Sequence, residues 1–177
     1  MADSSMREVS ERMAEPRRPL PRNRIISLLT DFGEEGPYVA AMKGVILQIC
    51  PEARMIDISH RIPRFDVRSG AYVLAESAPF FPTATIHLAV VDPGVGTGRR
   101  QIVVETTRYL FVGPDNGLIS IAAERDSVVS AWEIRNPRYM GAKPSKTFHG
   151  RDIFAPASAH LANGVPLADL GPPIASF

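Results

Sequence analysis

HLAVVDPGVGTGRR, residues His87 to Arg100, is the stretch from which the rest of the chain is read. Its first half belongs to an apolar, branched run, Ile86 to Val91, of strand length. Asp92 stands where that run ends. A Gly-rich turn, Pro93 to Gly98, follows and gives way to the basic pair Arg99-Arg100. In an open α/β sheet, ligands bind beyond the carboxyl ends of the strands. A carboxylate there, glycines that admit a close backbone approach and an arginine shortly after make a candidate site. The same residues also suit a plain strand end with a tight turn and a solvated Asp and Arg.

Working back from this stretch, order is predicted to begin at Arg24. Ile25 to Leu29 reads as a buried strand closed by Thr30-Asp31-Phe32-Gly33. Pro37 opens a helix to about Ile49, with Val39, Met42, Val45, Ile46 and Ile49 on one face. Pro51 stops it. Met55 to Ile58 is a second short strand, followed by Ser59-His60. A second helix fits Asp66 to Ala78, with Asp66 as its N-cap. Phe80-Phe81-Pro82 ends that unit, and a strand over Thr85–Val91 follows. The order βαβαβ predicts a mainly parallel, doubly wound sheet with helices on both faces, a three-layer α/β fold.

Working forward, Gln101–Glu105 and Tyr109–Val112 form an antiparallel hairpin after the central Gly-rich loop. Gly113-Pro114-Asp115-Asn116-Gly117 is a turn. Leu118 to Arg125 is one short helix and Val128 to Ile134 another strand. Asn136–Lys146 is polar and reads as a surface loop. Thr147-Phe148-His149-Gly150-Arg151-Asp152 leads into a helix from about Ile153 to Ala162, stopped by Asn163-Gly164. Residues 1–23 have no apolar period and read as a disordered tail, leaving 24–177 as one α/β domain.

Composition narrows the function classes. The 177 residues suffice for one domain with a real core. A net charge of +1 gives no broad field to draw nucleic acid or acidic lipid. No apolar run is long enough for a bilayer span. The single cysteine, Cys50, excludes an internal disulfide, suits a reducing compartment and reads as a buried thiol. With no secretory or transit signal in the first residues, a cytoplasmic location is expected.

Three acids, Asp31, Asp57 and Asp92, stand where apolar runs end. Asp57 alternates outward from its strand. Asp31 and Asp92 fall at carboxyl ends of parallel strands, where each reads either as a helix cap or as a site acid. Of the four histidines, His87 lies inside a strand, His60 follows one, His160 is late in a helix and reads as solvated, and His149 precedes a helix. His149 suits a donor or acceptor role toward a ligand. No metal-ligand spacing is present. GVGTGRR lacks the Lys-Ser/Thr ending of a phosphate loop, and the spacing of Gly94, Gly96 and Gly98 does not match the dinucleotide fingerprint.

Five motifs in order, TDFG (Thr30–Gly33), GPYVAAMKG (Gly36–Gly44), DPGVGTGRR (Asp92–Arg100), GPDNGL (Gly113–Leu118) and TFHGRDIFAPASAHLANG (Thr147–Gly164), resemble the S-adenosylmethionine (SAM) hydroxide adenosyltransferases, or SAM hydrolases. These are relatives of the fluorinase and chlorinase enzymes. The resemblance runs from about Arg24 to Ile174. It implies attack of activated water or hydroxide on ribose C5′ of SAM, yielding adenosine and methionine, with SAM as substrate and no cofactor. By motif match Asp92, Arg99 and His149 would be the catalytic set. Asp31 would hold the ribose hydroxyls, and Phe65, Asp115, Asn116 and Gly150 would be further substrate contacts. The halogenases carry Tyr in place of that Asp, and fluorinase carries Ser where Gly150 stands, so the resemblance favours water over halide. It also implies a homotrimer and a C-terminal β-barrel that these residues do not include. The alternative is a truncated, catalytically weak or silent domain for nucleoside binding or oligomerisation.

Overall fold

The computed structural model describes residues 23–177, so the tail expected over 1–23 lies, Asn23 apart, outside the described residues. Asn23 is tied to the fold. Its Nδ2 donates to Thr83 O at 2.7 Å, and its Oδ1 accepts from Ile25 N at 2.9 Å.

Six strands form one sheet: β1 (Ile25–Thr30), β2 (Arg54–Ser59), β3 (Ile86–Val90), β4 (Gln101–Thr106), β5 (Leu110–Pro114) and β6 (Val128–Glu133). Their spatial order is β2-β1-β3-β5-β4-β6. The β1/β2, β1/β3 and β3/β5 pairs are parallel, whereas β4 runs antiparallel to both β5 and β6. The mainly parallel sheet with a hairpin after the Gly-rich loop is therefore what the chain builds.

Side chains alternate across each strand. Ile26, Leu28, Leu88, Val90 and Val103 face one core. There α1 (Tyr38–Ile49) lies against α4 (Ala155–Ala162), with Met42 and Ile46 buried on α1. Leu29, Ala89, Val91, Ile102 and Val104 face the other core. There α2 (Val67–Ser77) lies against α3 (Ser120–Arg125). A short α5 (Leu167–Leu170) follows α4. Helices thus cover both faces, as the βαβαβ order requires. Asp66 caps α2, accepting from Ser69 N at 3.0 Å. Cys50 is buried, as expected.

The structure corrects several details. The last long helix starts earlier than Ile153, because a π-helical turn over Gly150–Phe154 runs straight into α4. Such a turn has no apolar period of its own, so patterning cannot announce it. The helix expected from Leu118 is only α3, with a turn before it. The 136–146 loop contains a 3₁₀ turn, Pro137–Tyr139, whose Tyr139 is buried. His160 is half-buried against the Tyr139 ring, with centroids 5.0 Å apart.

β2 and β3 flank β1 on opposite sides, so strand order reverses at β1. The carboxyl ends of β1 and β3, paired at Thr30 and Val90, are where a crevice opens.

Candidate active site

Asp31 follows β1 directly, and Asp92 follows β3 after Val91. The Gly-rich turn then folds back on itself. Thr97 N and Thr97 Oγ1 both donate to Gly94 O, at 3.1 and 2.7 Å. This return brings Arg99 onto Asp92. Arg99 Nε lies 3.0 Å from each Asp92 oxygen, and Nη2 donates to Oδ2 as well. Both side chains are almost fully buried. The Phe154 ring lies 5.4 Å from the guanidinium carbon.

His149 comes from the other end of the chain. Asp152, buried in the π turn, accepts from Ser145 N at 2.8 Å, and Ser145 Oγ accepts from Phe148 N at 3.0 Å. Burial works against the charge on Asp152. Hydrogen bonds from Arg151 and Ser145 outweigh it and hold the carboxyl below its ordinary value. The loop fixed in this way meets the Gly-rich turn at Gly96. There φ is +79° and a Cβ would stand 2.4 Å from Lys146 O. Only glycine permits that contact, which seats His149 beside Arg99.

Arg99 Nη2 donates to His149 Nδ1 at 2.8 Å. Guanidinium nitrogens only donate, so Nδ1 is the acceptor and the neutral ring carries its proton on Nε2. Burial, and then the positive charge of Arg99, push the His149 pKa below the ordinary histidine value.

A cavity of about 630 Å³ opens at this cluster. Asp92 and His149 border it, and Asp31 lies in the same wall system with Arg64 and Gly150. Asp31 Oδ2 accepts from Phe65 N at 2.8 Å, across a backbone turn in which Phe65 has φ +64°. Phe32, Tyr38, Phe65 and Phe148 give the cavity an aromatic lining. The first, second and last of these rings pack together with centroids 5.2–6.2 Å apart. Arg64 lies over the Phe65 ring, 4.9 Å from its centroid.

Of the residues expected from sequence, Asp31, Phe65, Asp92, His149 and Gly150 line this cavity, and Arg99 joins two of them from behind. Asp115 and Asn116 lie outside the lining. Asp115 Oδ2 accepts from Arg100 Nε at 2.7 Å, and Asn116 Nδ2 donates to Val91 O at 2.9 Å. Asn116 thus braces the backbone just before Asp92, and Asp115 holds the side chain of Arg100, next to Arg99. Sequence reasoning did not single out Phe32, Tyr38, Arg64 or Phe148 as site residues. Their signal was the presence of large aromatics in polar, glycine-rich loops at strand ends. Among the described residues no group of three or more His, Cys, Asp or Glu side chains is placed to hold a metal ion, and no helix is long and apolar enough to cross a membrane.

Residues 26–171 match the family model of the SAM hydroxide adenosyltransferase N-terminal domain. The chain is 52% identical over 150 residues to the "(R)-S-adenosyl-L-methionine hydrolase" of Salinispora arenicola, an alignment covering 84% of this chain and 57% of that protein. It is 30% identical over 176 residues to the fluorinase of an Actinoplanes species, covering 86% and 59%. The solved structure of an uncharacterised conserved protein from Thermotoga maritima superposes with a TM-score of 0.84 at 45% identity, covering 86% of this chain and 59% of that one. The chain thus spans somewhat more than half the length of the curated relatives it matches.

Proposed function

We propose that this chain, which belongs to the SAM hydroxide adenosyltransferase family, hydrolyses SAM to adenosine and methionine. The observation that carries this reading is Arg99, bonded at once to Asp92 and His149 at the edge of a cavity that Asp31 also lines.

At C5′ the reaction makes one bond and breaks one, and the attacking water also gives up a proton. A water oxygen attacks ribose C5′, and the C5′–S bond breaks with its electron pair going to sulfur. Sulfonium leaves as a neutral thioether, so no acid is needed at that end. The demand falls on the nucleophile. His149 has its Nε2–H to offer a water oxygen, because Nδ1 is taken by Arg99. Asp92 is paired with Arg99 along one edge, and its remaining lone pairs can receive the water's proton. Arg99 favours the deprotonated nucleophile by its charge and locks both partners in place. Asp31, with one oxygen held by Phe65 N, offers the other to a ribose hydroxyl. Positioning water in line with C5′ and sulfur would supply much of the rate.

Phe65 and Tyr38 are about half exposed at the cavity. This is in keeping with a neighbouring subunit completing the site, in the homotrimer that the family resemblance implies.

Incubating the full chain with SAM and separating the products tests the reading. Adenosine and methionine are expected in equal amounts. Asp92→Ala, Arg99→Ala and His149→Ala should each abolish them while the domain stays folded by circular dichroism. Turnover that survives all three would overturn the site. Adenosine binding without any turnover would favour a nucleoside-binding domain instead.

A further inference from the structure

His60 is buried at the end of β2, outside the machinery described above, yet residues on both sides of Asp31 are fastened to it. Thr30, the last residue of β1, is fully buried, and its Oγ1 lies 2.9 Å from His60 Nδ1. The same Oγ1 accepts from Phe32 N at 3.2 Å. One residue further on, Gly33 N donates to the His60 carbonyl at 2.8 Å. Asp31 is the residue enclosed between these anchors.

A second layer stands behind His60. Its Nε2 lies 3.0 Å from Asp57 Oδ1, off the line of an ideal hydrogen bond. Asp57 Oδ2 is in turn 2.6 Å from Lys43 Nζ on α1. A carboxylate facing Nε2 favours the tautomer with its proton there. Nδ1 is then the acceptor, and the Thr30 hydroxyl donates to it while accepting from Phe32 N. Every proton in the chain Asp57–His60–Thr30–Phe32 then points the same way. The local backbone is built for this. The β1/β2 pairing shifts register between Leu28 and Leu29, so that Leu28 faces Asp57 while Leu29 faces Ser59. The extra residue on β2 carries His60 alongside Thr30.

We propose that Asp57, His60 and Thr30 form a buried relay that fixes the Asp31 carboxylate for a ribose diol, which makes His60 a positioning residue of the site. This rests on the reading of Asp31 as the diol ligand. The relay holds the Asp31 backbone from beneath, while Phe65 N holds Oδ2 from above. Asp31 Oδ1 has no partner among the described residues, and it is the oxygen left for a hydroxyl. A histidine that served packing alone would affect every ligand of the cavity equally. A relay that aims one carboxylate affects only ligands with hydroxyls for it to grip.

Calorimetric titration of the full chain with adenosine and with 2′,3′-dideoxyadenosine, which lacks both hydroxyls, separates these roles. Thr30→Val, which keeps the side-chain shape, and His60→Gln should each weaken adenosine roughly five- to tenfold, the effect of one misdirected hydrogen bond. Both should leave the dideoxy ligand unchanged. Asp57→Asn, on the edge strand with a part-exposed side chain, should weaken adenosine about twofold. Asp31→Asn should weaken adenosine by itself, and adding Thr30→Val to it should cost nothing more. If Asp31→Asn weakens adenosine but Thr30→Val and Asp57→Asn do not, the relay is overturned and the reading of Asp31 stands. Equal weakening of both ligands by Thr30→Val also overturns the relay. If Asp31→Asn leaves adenosine binding intact, or the unsubstituted chain binds none, the reading of Asp31 fails and takes the relay with it.

Discussion

His149 Nδ1 has one lone pair, and Arg99 fills it. That single bond assigns the roles around it. The histidine is a donor through Nε2, and in the proposed reaction Asp92 would be the group that receives the water's proton. Asp92→Asn keeps the shape and removes the basicity, and kcat should fall by about 10²–10⁴-fold. His149→Gln can still donate a hydrogen bond, and kcat should fall only about tenfold. The pH dependence follows with a definite sign. The His149 pKa is lowered by burial and by the charge of Arg99, so protonation of the ring is centred below 6.5. A rate profile should therefore show its acid-side decline centred below pH 6.5, and His149→Gln should move that decline. A decline centred at or above 6.5 would argue against this assignment. At this scale much of the candidate site's geometry was legible in the sequence. Asp31, Asp92, Arg99 and His149 sit at strand ends or in distinctive motifs, and the fold brings them together. Asp115 and Asn116 stand in an equally distinctive motif, but a turn rich in hydrogen-bonding groups also suits bracing, which is what these two side chains do. The aromatic wall was not legible because Phe32 and Phe148 meet only through the packing of α1 against the π turn.

Elements translate these residues into a geometry, and two substitutions test how. Gly96→Ala would force φ +79° on a residue with a side chain and drive its Cβ into Lys146 O. The Gly-rich turn and the His149 loop would have to part. Stability should drop by about 1–3 kcal/mol, and kcat should fall with it, read from urea melts and initial rates on the same preparation. Asp66→Ala removes the α2 cap and should cost about 1 kcal/mol in the same urea melts. Loss of stability without loss of rate in the first variant would detach Gly96 from the site. The elements themselves were largely readable. Two apolar periods, of strand and of helix, alternate cleanly up to Val91, and the N-cap of α2 is a local chemical signal. The start of the final helix was not, because a π turn leaves its mark in backbone hydrogen bonds rather than in hydrophobic spacing.

At the scale of the whole molecule, one sheet separates two apolar cores, and a histidine sits inside one of them. His87 on β3 is fully buried, stacked on Phe111 and edge-on to Phe81 and Tyr109, with Ser27 Oγ 2.7 Å from its Nδ1. Burial pushes its pKa down from 6.5 to about 3. The folded chain therefore binds fewer protons than the unfolded chain at any pH between those values. Stability must fall as pH drops below 6.5, and the His87 share is spent only near pH 3. His149 and His160, also lowered, add to the fall with the same sign. Asp57, Asp126 and Asp152 are lowered as well, so their stabilisation is present above 3.8 and is lost only in stronger acid. A window from pH 7 to about 4.5 thus isolates the histidines. Over it His87 should account for roughly 2–3 kcal/mol, at about 1.4 kcal/mol per unit. Urea unfolding at the two ends of that window measures the loss. The paired substitution His87→Phe with Ser27→Ala removes the titrating ring and its partner together, leaving no stranded polar group. That variant should keep most of its neutral-pH stability and show a much flatter pH dependence. An unchanged slope would place the proton-linked loss elsewhere, in His149 or His160, and would mean that the sheet tolerates a charged His87.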